Sequence, residues 1–256
     1  MTTLWIGMGL LTGGTALGMQ RDLTPDRPDT TECPITVEPG VWQIETSLWE
    51  YNRDESGGVL SESWIFGQAN LKFGLTPSDD LQFVFTPWEE DHQRGFGIRS
   101  SDSGAGDVTL RWKHNLWGND GGESAMALMP FVNIPTQTAI STGEWEGGLI
   151  APLAFELGED LGLTTQLEID RTWDADSGSH HWELLHSASL GFDFTDSIGA
   201  YVEYIGIAGD APYQAIASTG LTWAVSDRLM LDVGVTHGLT DSAPDFSIFQ
   251  GLSYRF

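Results

Sequence analysis

The sequence predicts an all-β protein: a transmembrane antiparallel up-and-down β-barrel of about twelve strands. Three observations support this fold. Strand-length segments alternate apolar and polar residues, their connections alternate between short and long, and the chain ends on an aromatic residue. The closing strand of an outer-membrane barrel places such a side chain at the lipid interface. We therefore expect the barrel over residues 40–256, in the outer membrane of a Gram-negative bacterium.

The closing strand, 246–256, shows the alternation most clearly. Period-two alternation is typical of a strand with one apolar face and one polar face. One face carries Phe246, Ile248, Leu252, Tyr254 and Phe256, and the other carries Ser247, Gly251, Ser253 and Arg255. Phe249 and Gln250 interrupt the pattern.

Composition excludes several other classes of protein. Beyond the N-terminus the 256 residues contain no long apolar run, which excludes a helical membrane protein. A net charge of −26 argues against nucleic-acid binding. The charge fits either a solvated acidic surface or bridging by divalent cations to lipopolysaccharide. Cys33 is the one cysteine, so no intrachain disulfide forms.

The chain before the barrel divides into two parts. Residues 1–18 are apolar and small and end on Ala16-Leu17-Gly18, which predicts a signal peptide. Residues 19–39 are rich in proline and charge and do not suit a lipid environment. They are expected to form a periplasmic N-terminal segment or to fold into the lumen as a plug.

Alternating segments and turn residues predict the order of strands. Counting back from a closing strand that runs toward the periplasm assigns short Gly/Asp/Ser-rich turns to the inside and longer loops to the outside. The strands are expected near 41–51, 62–75, 81–87, 108–116, 124–134, 148–157, 161–169, 182–194, 198–206, 213–225, 229–239 and 246–256. The outer loops are expected at 52–61, 88–106, 135–147, 172–181, 207–212 and 240–245.

Aromatic residues cluster near both predicted ends of the strands. Two such belts are typical of membrane–water interfaces. Trp117, Trp223, Tyr254 and Phe256 fall near periplasmic ends. Trp49, Tyr51, Trp64, Trp88, Trp173 and Trp182 fall near outer ends.

Charged residues lie on the face opposite the apolar one and are predicted to line the lumen. Charges inside a small barrel need partners or water. They either pair with one another in a structural lumen or face one another across a pore and tune its selectivity. The candidates are Lys72, Arg111, Lys113, Glu168, Glu183, Glu203 and Arg255.

The sequence does not favour an enzyme, although some outer-membrane barrels are lipases. Acyl transfer needs a nucleophile beside a base, yet His186 and Ser189 are three apart on a strand and point to opposite faces. No G-x-S-x-G elbow occurs. No cofactor or metal is expected, and a barrel phospholipase is kept as the less favoured alternative.

One stretch of the chain, D-R-P-D-T-T-E-C-P at 26–34, is especially specific, and five others accompany it: 39–46, 106–116, 126–136, 148–157 and the closing strand. Together these stretches resemble the family described as putative MetA-pathway of phenol degradation proteins. Cys33 stands where similar sequences usually have Ser. The resemblance implies an outer-membrane barrel that passes phenol-like or other small hydrophobic compounds, with no catalytic residues.

The resemblance also singles out a recurrent N-terminal motif of unassigned role, comprising Asp26, Arg27, Asp29 and Glu32. Charge complementarity leads us to the hypothesis that this motif seats in the lumen near Arg111 and Lys113.

The expected function is passive uptake of small compounds, including aromatic and hydrophobic ones. The alternative is a structural or surface-interaction barrel with a closed lumen. Expected partners are outer-membrane lipid and lipopolysaccharide, a small-molecule solute, and the barrel-assembly machinery through the strand that ends at Phe256. No nucleic acid is expected.

Overall fold

The computed structural model describes residues 21–175 and 177–256, with the backbone alone for Ile98. The signal peptide predicted at 1–18 lies outside these residues. Within the described chain every regular element is a β-strand: β1 Trp42–Ser56, β2 Val59–Phe66, β3 Ala69–Thr76, β4 Asp79–Phe85, β5 Trp88–Gly95, β6 Ile98–Gly104, β7 Val108–Trp117, β8 Ser124–Ile134, β9 Glu146–Glu156, β10 Leu161–Asp174, β11 Ser179–Thr195, β12 Ile198–Ala208, β13 Gln214–Ser226, β14 Leu229–Gly238 and β15 Phe246–Arg255.

These strands form one antiparallel sheet that closes on itself, because β15 pairs with both β14 and β1. Three wall strands are each interrupted once, so that β2 continues into β3, β4 into β5 and β6 into β7. The described chain is thus a closed twelve-stranded barrel, which confirms the predicted fold class. Because the barrel is closed, no strand edge is left unpaired. The backbone N–H and C=O groups therefore bond to neighbouring strands, which is necessary because lipid offers them no hydrogen-bond partners.

Two hairpins, β1–β2 and β5–β6, extend beyond the bilayer on the outer side. Beyond Trp88 the outward side chains on β5 are polar or charged, namely Glu90, His92 and Arg94, and they do not suit lipid. The tips are two-residue turns, and each contains residues with positive φ, as two-residue hairpin turns require. Gly57 and Gly58 form the first tip; the second is formed by residues 96–97.

The prediction of long outer loops is therefore wrong at three places. The two hairpins take up most of 52–61 and 88–106. Most of 172–181 belongs to β10, which ends at Asp174, and to β11, which begins at Ser179. Longer outer connections remain at 135–145 and 239–245, whereas 209–213 is no longer than the periplasmic turn at 118–123. The periplasmic turns, at 77–78, 118–123, 157–160, 196–197 and 227–228, are short as predicted.

Alternation within the strands separates lipid-facing from lumen-facing side chains. On β15, Tyr254 is exposed while Ser253 and Arg255 are buried, as the sequence pattern predicts. Phe249 points inward, and the outward Gln250 accepts a hydrogen bond from the Trp49 indole at 3.2 Å. This contact lies beside a bulge in β1 where the register with β15 shifts. The described residues include no helix that is long and apolar enough to cross a membrane.

Candidate functional site in the barrel lumen

Inward side chains of the barrel wall are polar and buried, although they lie opposite an apolar outer face. On β7, Lys113 and Asn115 are buried, while Leu110 and Trp112 are exposed on the outer face. The same division occurs on β1, where Glu45 and its inward neighbours are buried. Wall strands of this kind enclose a lumen that needs either water or polar partners.

Residues 21–38 supply such partners and lie inside the barrel, where they contact strands on all sides. We call them the lumen segment. Asp26 is its most enclosed charge. The Asp26 carboxylate forms ion pairs with Lys72 of β3 and with Lys113 of β7, the latter at 2.7 Å. It also accepts the Cys33 backbone N–H at 2.9 Å, and Lys72 pairs with Glu45 as well.

Arg27 connects the lumen segment to the first and last strands of the barrel. Its guanidinium donates to the Asp232 carboxylate of β14 at 2.7 and 3.2 Å and to the Ser47 hydroxyl of β1 at 2.7 Å. It also lies 5.6 Å from the centre of the Phe249 ring on β15. Arg27 thereby meets three neighbouring strands at the seam where the barrel closes.

The rest of the motif contacts the opposite wall. Glu32 accepts a hydrogen bond from Arg111 at 2.5 Å, and its backbone N–H donates to the Gln166 side chain at 2.7 Å. The carboxylate of Glu203 accepts the backbone N–H groups of Thr30 and Thr31 at 3.0 and 2.8 Å. These bonds connect the segment to β7, β10 and β12.

Backbone groups of the segment are satisfied by inward side chains further toward the periplasm. Lys113 donates to the Cys33 carbonyl at 2.6 Å, and Asn115 donates to the Pro34 carbonyl at 2.9 Å. The Asp80 carboxylate accepts the Val37 N–H at 3.0 Å. An extended chain without a strand partner needs such bonds, because buried backbone groups are costly to leave unpaired.

The structure places the seven lumen candidates in two groups. Lys72, Arg111, Lys113 and Glu203 contact the lumen segment, and Arg255 donates to the Arg21 carbonyl at 2.5 Å. Glu168 and Glu183 lie nearer the outer opening. Glu168 accepts from the Gln166 amide at 2.8 Å, and Glu183 lies 3.2 Å from the His181 ring. Of the motif, Asp29 lies close to the Glu203 carboxylate.

Asp80 is a site residue that sequence reasoning missed. The strand expected near 81–87 leaves Asp80 just outside it, whereas β4 begins at Asp79 and points Asp80 into the lumen, fully buried. The alternation of Asp80 and Gln82 with Leu81 and Phe83 carried this signal. Gln166 and Asn115 were also missed, because an uncharged amide on a lumen face does not stand out in the sequence.

The outer part of the lumen is lined by carboxylates from two sides, and we call these residues the acidic vestibule. One side carries Glu50, Glu89, Asp91 and Asp102, and the other carries Glu146, Glu168, Asp170 and Glu183. Burial, together with the negative charges of Asp91, Glu50 and Asp107, raises the pKa of Glu89 to about 7. Carboxylates gathered this closely, with no lysine or arginine in this set of residues, favour cations over anions in this region.

Asp107, between β6 and β7, holds the outer loop 135–145 at the mouth of the barrel. Its carboxylate accepts the backbone N–H groups of Thr136 and Thr142 at 2.9 and 3.0 Å, and also their hydroxyl groups. Thr138 donates to the Ala105 carbonyl at 2.6 Å. The loop is therefore fixed against the wall next to the acidic vestibule.

A closed barrel with an apolar outer girdle and a polar, partly filled lumen defines the class: this is a bacterial outer-membrane β-barrel. The particular family follows from a family model described as "Putative MetA-pathway of phenol degradation", which matches residues 25–256. The chain belongs to this family, and the resemblance inferred from the sequence is confirmed.

Solved structures share the fold at low sequence identity. The COG4313 outer membrane channel from Pseudomonas putida F1 is 14% identical, with 90% of this chain and 99% of that chain covered and a TM-score of 0.65. The NanC porin is 9% identical, with 82% of this chain and 98% of that chain covered and a TM-score of 0.54. The translocator domain of the autotransporter NalP from Neisseria meningitidis is 10% identical, with 85% of this chain and 88% of that chain covered and a TM-score of 0.52. No curated protein matches the chain.

Proposed function

We propose that this protein is a channel for passive uptake of small compounds, including aromatic and hydrophobic ones. The observation that carries the proposal is a continuous polar lumen face on a barrel wide enough to need a separate segment to fill it. An eight-stranded barrel is filled by its own side chains, whereas twelve strands leave room for a passage. The family description, which names phenol degradation, supports the solute class.

In this proposal the lumen segment is the plug that controls passage. It contacts the wall through ion pairs and hydrogen bonds such as Asp26–Lys113 and Arg27–Asp232. Water replaces polar contacts of this kind more readily than it replaces a packed apolar interface. The segment is therefore able to exchange between a seated and a released position without unfolding the barrel.

The acidic vestibule gives the channel a charge preference. A cleft lined by one sign of charge concentrates counter-ions and repels ions of its own sign. Glu89 and Asp91 face the outer opening on one side, and Asp170 does so on the other. Neutral phenols and cations are therefore expected to enter more readily than organic anions of similar size.

Liposome swelling tests the channel proposal directly. Proteoliposomes are challenged with phenol, sugars and short organic acids, and phenol is expected to enter faster than an anion of similar size. A second protein that lacks residues 20–34 is expected to show a higher single-channel conductance in planar bilayers. An Asp120→Asn variant is the matched control, because it alters a charged partner of the lumen segment at the exposed periplasmic end. No permeability to any solute, together with unchanged conductance after the deletion, contradicts the proposal.

That contradictory result would instead support a structural barrel with a closed lumen, the alternative favoured by the complete burial of Lys72 and Lys113. The proposal includes no catalytic step. The outward His186 ring lies 3.1 Å from the Tyr213 hydroxyl, on a different face from Ser189. Lipid hydrolysis that survives in an Arg111/Lys113 variant would point to an enzyme.

The partners proposed for the outside of the barrel follow from its girdle and its last strand. Exposed Trp and Leu side chains around the wall face outer-membrane lipid, with lipopolysaccharide as the outer-leaflet partner. The exposed Phe256, whose ring packs edge-on against Tyr254 at 5.1 Å, is the proposed contact for the barrel-assembly machinery.

A further inference from the structure

A groove of about 600 Å³ lies on the lipid-facing side of the barrel near its outer rim. It is formed where β9, β10 and β11 run side by side, and no part of the proposed passage depends on it. Its lining combines outward apolar side chains with aromatic and basic ones: Leu149, Ile169, Trp145, Trp182, Arg171 and His180. This volume falls within the roughly 300–1,000 Å³ typical of ligand sites.

The groove exists because a glycine interrupts a row of outward side chains. Gly147 pairs with Arg171 of β10 on one side and with Val132 of β8 on the other. A side chain at this position has little room, since a Cβ would lie 2.7 Å from the Phe131 carbonyl oxygen. The outer surface of the wall is therefore recessed at Gly147. The larger side chains of Leu149 and Trp145 lie on either side of this gap.

The side chains that line the groove differ in chemical character according to their distance from the membrane centre. The row nearer the membrane centre holds Leu149 and Ile169, which pair with each other. The next row outward holds Arg171, whose guanidinium lies 5.5 Å from the centre of the Trp182 ring. Apolar side chains below a cation and aromatic rings match a lipid whose acyl chain lies below a charged headgroup.

Arg171 is exposed and available to such a headgroup. Among the described residues it forms no ion pair, in contrast to the outward Arg94, which pairs with Glu62 at 3.3 Å. Glu146 borders the groove, but its carboxylate already accepts from the Asn133 amide and the Trp173 N–H at 3.1 and 2.9 Å. Stacking on Trp182 restricts the guanidinium and thereby reduces the entropy lost on binding.

We propose that this groove is a binding site for one molecule of lipopolysaccharide. An acyl chain lies over Leu149 and Ile169 and extends into the gap at Gly147. The Arg171 guanidinium binds a phosphate of the lipid A backbone, because arginine matches the geometry of phosphate oxygens. The His180 ring, 2.7 Å from the Trp145 carbonyl oxygen, fixes the outer edge of the groove.

Native mass spectrometry on the purified full-length barrel tests this site. The probes are Kdo2-lipid A, the same lipid without its phosphates, and phosphatidylglycerol. Wild type is expected to retain one Kdo2-lipid A more strongly than either of the other two lipids. Arg171→Gln is expected to weaken this retention about fivefold, in line with roughly 1 kcal/mol per arginine at an anionic surface.

A second variant, Ile169→Trp, fills the groove without changing charge and is expected to abolish retention of the lipid. Arg94→Gln and Ile198→Trp are the matched controls, since each makes the same type of change on an outward side chain away from the groove. Both controls are expected to bind as wild type. Equal retention by Arg171→Gln and wild type, or equal retention of the phosphate-free lipid or of phosphatidylglycerol by wild type, would overturn the proposal. Heat-modifiable mobility on gels verifies that every variant is a folded barrel.

Discussion

Replacing Asp26 with Asn is expected to release the lumen segment from its seated position. The Asp26 carboxylate forms ion pairs with both Lys72 and Lys113 and accepts the Cys33 N–H. The variant keeps the size of the side chain but removes its negative charge. When the segment is seated, Lys113 then loses its ion-pair partner and Lys72 keeps only Glu45, whereas water solvates both ammonium groups when the segment is released.

The size of the effect follows from these contacts. Breaking a buried ion pair by removing one partner costs about 3–5 kcal/mol. Lys72 retains Glu45 and Lys113 retains the Cys33 carbonyl, so the lower figure applies. A cost of about 3 kcal/mol raises the released population roughly a hundredfold.

Cys33 provides the assay, because it is the one cysteine of the chain and is buried in the lumen segment. A maleimide reagent reacts with Cys33 only when the segment leaves the lumen. The labelling rate in proteoliposomes therefore follows the released population and is expected to rise about a hundredfold in Asp26→Asn.

The control is Asp120→Asn, which removes the negative charge that pairs with Arg21. The Asp120 side chain is 79% exposed. An exposed ion pair contributes at most about 1 kcal/mol, so labelling should change about fivefold or less. Labelling of Asp26→Asn at the wild-type rate, with the barrel still folded, would refute the reasoning that buried charge holds the segment in place.

Three further predictions concern the vestibule and the closing strand. Glu168→Gln combined with Glu183→Gln should lower cation preference, measured as a shift of the reversal potential toward zero under a KCl gradient. Cation preference should also fall as the pH drops from 8 to 6, because Glu89, with its pKa raised to about 7, takes up a proton in that range. In Glu89→Gln this pH dependence should be smaller, and a persistent step of equal size would assign it to another group. Deleting Phe256 should reduce the amount of heat-modifiable barrel recovered from outer membranes, and an unchanged amount would show that assembly does not require it.

The sequence predicted the wall of the barrel well where the strands cross lipid. There, one face must be apolar and the other polar, so period-two alternation is strong, as on β7 and β15. The pairing of β15 with β1 follows once the alternating strands are expected to close into a barrel. The interruption at 249–250 is one of polarity and not of geometry, because Phe249 points inward against Arg27 while Gln250 points outward.

The predictions failed where the strands leave the membrane. In the β5–β6 hairpin both faces are polar, because water surrounds the outer face and carboxylates line the inner one. Hydrophobic alternation is then absent, and 88–106 resembles a loop. The contacts of the lumen segment were also beyond reach, since an extended chain held by side chains has no sequence period. Charge indicated Arg111 and Lys113 as partners, but not Asp80 or Asp232.

Arg27 has a consequence for the order of events during assembly. It joins the Ser47 hydroxyl, near the start of the barrel, to the Asp232 carboxylate, near its end. Ser47 lies on β1 and Asp232 on β14, and these two strands flank β15 only when β15 pairs with β1. A segment that emerges before the wall and binds both sides of the seam favours the closed sheet over an open one. The last step of barrel formation and the seating of the segment are therefore thermodynamically coupled, and a weaker segment should leave more barrels unclosed.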